Sequence, residues 1–120
     1  MNIKLTFANV YDLHTFVNLF ARCQKNLFNE IDFIDFYNCE SIKHKITNKY
    51  LNSVRNVTLR KKTFVLLNIN EFITLRDILR ANKLESTPDN IILITFANEL
   101  IEQGTKQIEH FENVYKSRQT

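Results

Sequence analysis

Two short segments of this chain share one order of residue types: a run of branched apolar residues that ends in Thr-Phe-Ala-Asn. They are NIKLTFAN at residues 2–9 and NIILITFAN at residues 90–98. In the first segment apolar and polar residues alternate, which is typical of a strand with one buried face. We therefore predict a strand here, followed by a helix that Asn9 caps by accepting a backbone N–H. The apolar face of this helix is predicted to carry Leu13, Phe16, Val17 and Phe20.

The second copy has a different pattern, because residues 91–96, IILITF, form an uninterrupted apolar run. Such runs are typical of strands that are covered on both faces. We predict a strand followed by a helix that begins at Asn98. The alternative is a single helix over 88–116, because Thr87-Pro88-Asp89 is a good helix start by itself.

Two further strands are predicted from local composition. TFVLLNIN at residues 63–70 is expected to be a strand that ends at Asn70, and EFITLRDILRAN at 71–82 is expected to be the helix that follows it. EIDFIDFY at residues 30–37 is also predicted to be a strand.

Residues 41–62 fit two patterns. The spacing of Ile42, Ile46 and Tyr50 suits a helix, whereas Val57 and Leu59 alternate as in a strand. We predict a short helix or an irregular stretch to about residue 53, then a strand with Val57 and Leu59 facing the core. The opposite face of that strand is predicted to carry Asn56, Thr58, Arg60 and Lys62.

Together these segments predict a single compact domain over residues 1–120, of the mixed α/β or α+β class. The expected order is β-α-β-(α)-β-β-α-β-α, with a four- to five-stranded mixed sheet and three main helices. The chain has one Gly and one Pro, which argues against a glycine-rich phosphate loop and a proline-rich linker. We expect no membrane span and no signal peptide. Cys23 and Cys39 are expected to be reduced thiols of a cytoplasmic protein.

Charge is distributed unevenly along the chain. Residues 41–70 contain seven Lys and Arg residues and no Asp or Glu, although the net charge of the whole chain is only +3. The segments on either side are both slightly acidic. A basic segment of this kind predicts a negatively charged partner.

Nucleic acid is the partner that this segment predicts first. Exposed Arg and Lys side chains suit contacts with phosphate and sugar, and an aromatic ring at Tyr50 suits stacking on an unpaired base. The alternative is a solvated face that prevents an edge strand from pairing with other chains. The predicted phosphate contacts are Arg55, Arg60, Lys61 and Lys62, with Lys43, Lys45 and Lys49 as auxiliary contacts.

Catalytic and metal sites are not predicted. Glu30 and Asp32 share a strand face in the predicted structure, as Mg²⁺ ligands of a nuclease do. However, the chain contains no Asp-x-Lys or Glu-x-Lys sequence, which such a nuclease is expected to have. His14, His44 and His110 are far apart in the sequence, and Cys23 is interpreted as a packing residue. No cofactor is expected.

These observations predict three functions, which we give in order of preference. The first is a small, non-enzymatic regulator that binds nucleic acid, with RNA favoured over DNA. The alternative is an adaptor or inhibitor that binds an acidic surface of a partner protein. An enzyme, namely a metal-dependent nuclease, comes third. The abundance of Asn, Ile, Lys and Phe indicates an AT-rich coding sequence, as in some bacteria and their phages or plasmids.

Overall fold

The described residues form four helices and one sheet of two antiparallel strands, so the predicted four- to five-stranded mixed sheet is wrong. The structure is a computed structural model that describes residues 2–27, 30–57, 59–82 and 87–119, except for the side chain of Asp89. Its elements in chain order are β1 (Asn2–Phe7), α1 (Val10–Asn26), α2 (Phe33–Arg55), β2 (Thr63–Asn68), α3 (Ile69–Ala81) and α4 (Pro88–Arg118).

The sheet has one buried face and one exposed face. β1 and β2 pair so that Asn2 lies opposite Asn68 and Phe7 lies opposite Thr63. Because side chains alternate along a strand, every second residue enters the core. On the buried face the strands contribute Ile3, Leu5, Phe7, Val65 and Leu67. The helices add fully buried side chains that include Leu13, Phe16, Phe20, Ile42, Ile46, Phe72 and Leu75.

Both strand-to-helix junctions of the structure begin their helices with an asparagine cap. The Asn9 side chain accepts a hydrogen bond from the Asp12 N–H at 2.9 Å, which confirms the predicted cap of α1. At the second junction the strand ends at Asn68 and not at the predicted Asn70, and Asn68 caps α3. Asn68 and Glu71 form a capping box, in which each side chain accepts the backbone N–H of the other residue.

The predicted strand over 91–96 is wrong, because this segment belongs to the long helix α4. Thr87 caps the helix by accepting from the Asn90 N–H at 3.3 Å, and Pro88 stands in the first turn. The alternative of a single helix is therefore confirmed. The branched residues Ile91 and Ile92 are exposed, so the buried strand that their β-propensity suggested does not exist.

The predicted strand over 30–37 is also wrong, because α2 begins at Phe33. The Asp32 side chain accepts from the Asp35 N–H at 2.8 Å and so caps this helix. The short helix or irregular stretch that we predicted up to about residue 53 is part of this one helix, which ends at Arg55. Its buried side chains recur at helical spacing, at Cys39, Ile42, Ile46 and Ser53.

The predicted strand over 56–62 is replaced by a turn that connects α2 to β2. Val57 has a φ of 54°, a left-handed conformation that a β-branched residue rarely adopts and that an extended strand excludes. Val57 is also exposed, and Leu59 is only half-buried, so neither residue is a core residue. Arg60 and Lys62 therefore do not project from one face of a strand, and Thr58 lies outside the described residues.

Helix α4 covers the outer edge of β1. The Lys4 N–H donates to Gln107 Oε1 at 2.8 Å, and Gln107 Nε2 donates to the Lys4 carbonyl at 2.7 Å. Gln103 makes the same pair of hydrogen bonds with the backbone of Thr6, at 2.9 and 3.2 Å. Two glutamine side chains thus satisfy backbone groups that an unpaired edge would leave open.

The single glycine of the chain lies where α4 crosses α3. Gly104 is buried in the middle of α4, a position at which glycine costs about 1 kcal/mol relative to alanine. A Cβ atom at this position would overlap the ring of Phe72, which is fully buried. The absence of a side chain at 104 therefore allows the helix to approach the core closely.

Candidate nucleic-acid interface

The basic residues of α2 do not share one face of the helix. Successive residues of an α-helix are about 100° apart around its axis. Lys45 and Lys49, four residues apart, therefore lie on the same flank. Lys43 lies about 160° around the axis from Lys45, and Arg55 lies about 120° from Lys49. The structure brings together only part of the predicted set.

Lys45, which is partly exposed, forms an ion pair with the buried carboxylate of Glu71. The Lys45 ammonium lies 2.6 Å from Glu71 Oε1, and the Glu71 side chain is only 1% exposed. Ser41 and the Asn68 backbone donate to the same carboxylate. Burial raises the pKa of Glu71, but the hydrogen bonds from Lys45, Ser41 and Asn68 outweigh it, so the pKa lies below its ordinary value. Lys45 therefore links α2 to the start of α3.

The Tyr50 side chain lies on a different side of α2 from that of Lys49 and contacts α1. Its ring is half-buried against the core, and its centroid is 5.0 Å from that of the His14 ring. Part of the ring surface that a base would need is therefore already covered by the protein.

The remaining predicted contacts are concentrated in and beside the turn between α2 and β2. Arg55, Arg60, Lys61 and Lys62 are all exposed, and none of them forms an ion pair within the described ranges. The turn is attached to the body of the protein by a hydrogen bond from the Val10 N–H to the Leu59 carbonyl, at 3.0 Å. Arg60 and Lys61 line a shallow depression together with Tyr11, Val57 and Leu59.

An aromatic residue that the sequence analysis did not single out lies next to this turn, on the exposed face of the sheet. Phe64 is the second residue of β2 and is 39% exposed. The ammonium groups of Lys4 and Lys49 lie 4.3 and 4.8 Å from its ring centroid. Cation–π contacts of this kind hold both charges over the ring. Leu66, two residues along the same strand, is 44% exposed.

Only part of this cluster of Phe64, Lys4 and Lys49 could be predicted from the sequence. In NIKLTF the alternation that places Ile3 and Leu5 in the core also places Lys4 on the outer face. The strand TFVLLN is almost wholly apolar and shows no such alternation. Its outward side chains could be identified only once the pairing partner was known.

The acidic, histidine and cysteine side chains of the described residues are the remaining candidates for metal binding or nucleophilic chemistry. Among the described residues there is no group of three or more His, Cys, Asp and Glu side chains that could hold a metal ion. Asp32, which was considered as an Mg²⁺ ligand and not predicted to be one, caps α2. Cys23 and Cys39 are buried and free, which confirms their interpretation as unpaired thiols. Burial raises the pKa of Cys39 to about 11, so this thiol is a poor nucleophile at neutral pH.

None of the helices in the described ranges combines the length and the apolar character that crossing a bilayer requires. Comparison with known proteins identified no matching family model, no similar curated protein and no similar solved structure. A functional proposal therefore rests on the chain's own residues.

Proposed function

We propose that this protein is a small, non-enzymatic regulator that binds nucleic acid through its basic turn, the residues Arg55, Arg60, Lys61 and Lys62. The observation that carries the proposal is that these four cations are exposed and unpaired within the described part of the chain, in a segment without acids. Lys45 belongs to the same segment but differs from these four residues, because it forms an ion pair with Glu71. Cations that the fold does not use suit phosphate contacts.

RNA is favoured over DNA in this proposal, because unpaired bases are the usual targets of RNA-binding proteins. The proposal places the protein in the cytoplasm of a bacterium, or of a cell that carries its phage or plasmid. Two buried free thiols, Cys23 and Cys39, agree with a reducing compartment.

The test is a binding titration with mixed-sequence RNA and DNA, repeated at several salt concentrations. We expect affinity to fall steeply with salt, because phosphate contacts release counterions. The double variant Arg60→Glu/Lys62→Glu should lose measurable binding and keep the melting temperature of the wild type, because exposed substitutions usually change stability by less than about 0.5 kcal/mol. Absence of binding by the wild-type protein in low salt would contradict the proposal.

A matched control is available at the other end of the sheet. Gln103 bonds to Thr6 and Gln107 to Lys4, so α4 runs antiparallel to β1 and its last turn lies beyond the end of β1 at Asn2. The basic turn adjoins the opposite end. Lys116→Glu/Arg118→Glu makes the same change in net charge far from the proposed contacts and should leave binding nearly unchanged. Equal losses in both double variants would indicate a dependence on net charge alone.

A second function, a protein-interaction adaptor or inhibitor, is favoured by a different surface. Phe33, Ile34 and Tyr37 in the first turns of α2 are 79%, 69% and 67% exposed. Clustered exposed apolar residues are typical of protein interfaces. A high ratio of absorbance at 260 to 280 nm in the purified protein, lost after nuclease treatment, would support the first function. Stoichiometric co-purification of one protein would support the second.

A further inference from the structure

We infer that the exposed face of the two-stranded sheet is a stacking platform for single-stranded nucleic acid, on which Phe64 stacks against one unpaired base. This inference rests on the proposed function and names the class of nucleic acid. The platform consists of Phe64, Leu66, Lys4 and Lys49.

The position of Phe64 relative to the cations supports the stacking role. Thr6 lies opposite Phe64 and Lys4 lies opposite Leu66, so Lys4 is the diagonal neighbour of the ring on the outer face. Lys49 approaches the ring from α2. The long stems of both lysines let their ammonium groups move from the ring to the phosphates on either side of a stacked base. A surface that combines an aromatic ring with two ammonium groups complements a nucleotide, which has an aromatic base and an anionic phosphate.

The platform is continuous with the basic turn. Phe64 follows Lys62 by only two residues, a distance of about 7 Å along an extended chain. A strand bound to the turn through its phosphates therefore reaches the ring within one or two nucleotides. Leu66 extends the apolar surface in the same direction and is suited to contact a sugar.

Acidic residues lie along the edge of β1 that faces away from β2. Glu99 lines a depression with Thr6 and Asp12 where β1 meets α4, and Glu102 lies one helical turn further along. Asp12 and Glu99 repel phosphate from this edge, whereas the charge of Glu102 is paired with Lys106 at 2.9 Å. The path of the bound strand is thereby directed over Phe64, between Lys4 of β1 and Lys49 of α2.

Stacking requires an unpaired base. In a duplex both faces of each base are covered by its neighbours, whereas a single strand can splay its bases onto an aromatic side chain. The exposed face of the sheet carries the polar residues Asn2 and Thr6 beside the platform. We therefore expect single strands to bind more tightly than duplexes of the same sequence.

The first test compares Phe64→Ala with the wild type on short single-stranded RNA, single-stranded DNA and the matching duplexes. We expect affinity for the single strands to fall about 5- to 150-fold, which is the usual cost of removing one stacking residue. The salt dependence should not change, because the ring carries no charge. Phe33→Ala is the matched control, since it removes an exposed aromatic ring about 24 Å along α2 from Lys49. Phe64→Tyr should retain affinity, which separates stacking from any effect on folding.

Inorganic polyphosphate serves as a probe that has the charge of nucleic acid and no bases. Arg60→Glu/Lys62→Glu should weaken its binding, and Phe64→Ala should not. If Phe64→Ala leaves single-strand affinity unchanged while the charge reversal abolishes it, the platform is refuted and the proposed function stands. If the wild type binds no nucleic acid at all, both are refuted. If an acidic polypeptide such as polyglutamate competes as well as the single strand does, a protein partner replaces the platform.

The chain contains no Trp, which allows a direct measurement of stacking. The variant Phe64→Trp places a single indole on the platform, and its emission can be excited selectively. We expect the emission to be quenched on addition of single-stranded oligonucleotide, with the same concentration dependence as binding. The control variant Phe33→Trp should show no quenching. Binding without quenching in Phe64→Trp would overturn the inference.

Discussion

Replacing Lys45 with methionine is expected to destabilise the protein, because the change removes the cation from a buried carboxylate. Glu71 is 1% exposed, and the Lys45 ammonium lies 2.6 Å from it. Methionine retains most of the apolar stem of lysine, so the loss of packing is small. The Glu71 charge keeps its hydrogen bonds from Ser41 and from the Asn68 backbone.

The magnitude follows from these contacts. Removing one partner of a fully buried ion pair costs about 3–5 kcal/mol. The Lys45 side chain is 40% exposed, so solvent screens the pair and reduces that value. The two remaining donors to Glu71 reduce it further. We therefore expect the free energy of unfolding to fall by about 1–3 kcal/mol at neutral pH.

Chemical denaturation of two matched variants checks this value. Lys43→Met makes the same substitution two residues away, at an exposed position on another side of α2. Its free energy of unfolding should stay within about 0.5 kcal/mol of the wild type. Equal stability of the two variants at neutral pH would refute the reasoning.

The dependence on pH provides an independent check. The folded-state pKa of Glu71 lies below its ordinary value, so its contribution to stability is present above the ordinary value and is lost as the pH falls through the folded-state pKa. In Lys45→Met the effect of burial, which raises the pKa, is opposed by fewer hydrogen bonds. The stability difference between Lys45→Met and the wild type should therefore shrink as the solution is made acidic. A difference that stays constant would mean that Lys45 acts by packing alone.

Two predictions concern α4. Gly104→Ala should lower the free energy of unfolding by about 1–2 kcal/mol in thermal denaturation, because overlap with Phe72 outweighs the helix propensity of alanine. The loss should be smaller in a Phe72→Leu background, and a Gly104→Ala variant more stable than the wild type would contradict this packing. Gln107→Ala should accelerate hydrogen exchange of the Lys4 amide by removing its acceptor, and unchanged protection would show that α4 does not cover the β1 edge.

Local sequence patterns predicted the elements whose residues fit only one type of secondary structure. The alternation in β1 and the asparagine at position 9 gave a strand and a capped helix, and both are present. The branched run at 91–96 failed because β-propensity depends on context. There the cap at Thr87, Pro88 and the burial of Leu100 against the body favour a helix.

The charge of the candidate site could be predicted from the sequence, but the arrangement of its residues could not. The basic segment is visible in the sequence, but its members have different roles: Lys45 pairs with Glu71, which is remote in the sequence by 26 positions. Lys49 and Lys4 meet at Phe64 only because α2 and β1 both adjoin β2. Contacts between distant segments of this kind depend on the tertiary fold, and periodicity alone does not contain them.

The composition of the exposed sheet face also separates the residues that the fold needs from those that it does not need. A two-stranded sheet is stable only when one face packs against other elements, and here the helices cover the face of Leu5 and Val65. The other face needs only polar residues, which is what β1 places there. β2 instead exposes Phe64 and Leu66, which contribute little to the core and increase the risk of association. Departures from the local pattern that do not serve the fold are expected at functional sites. The open face of β2 is such a departure, and it adjoins the cations that the fold leaves unpaired.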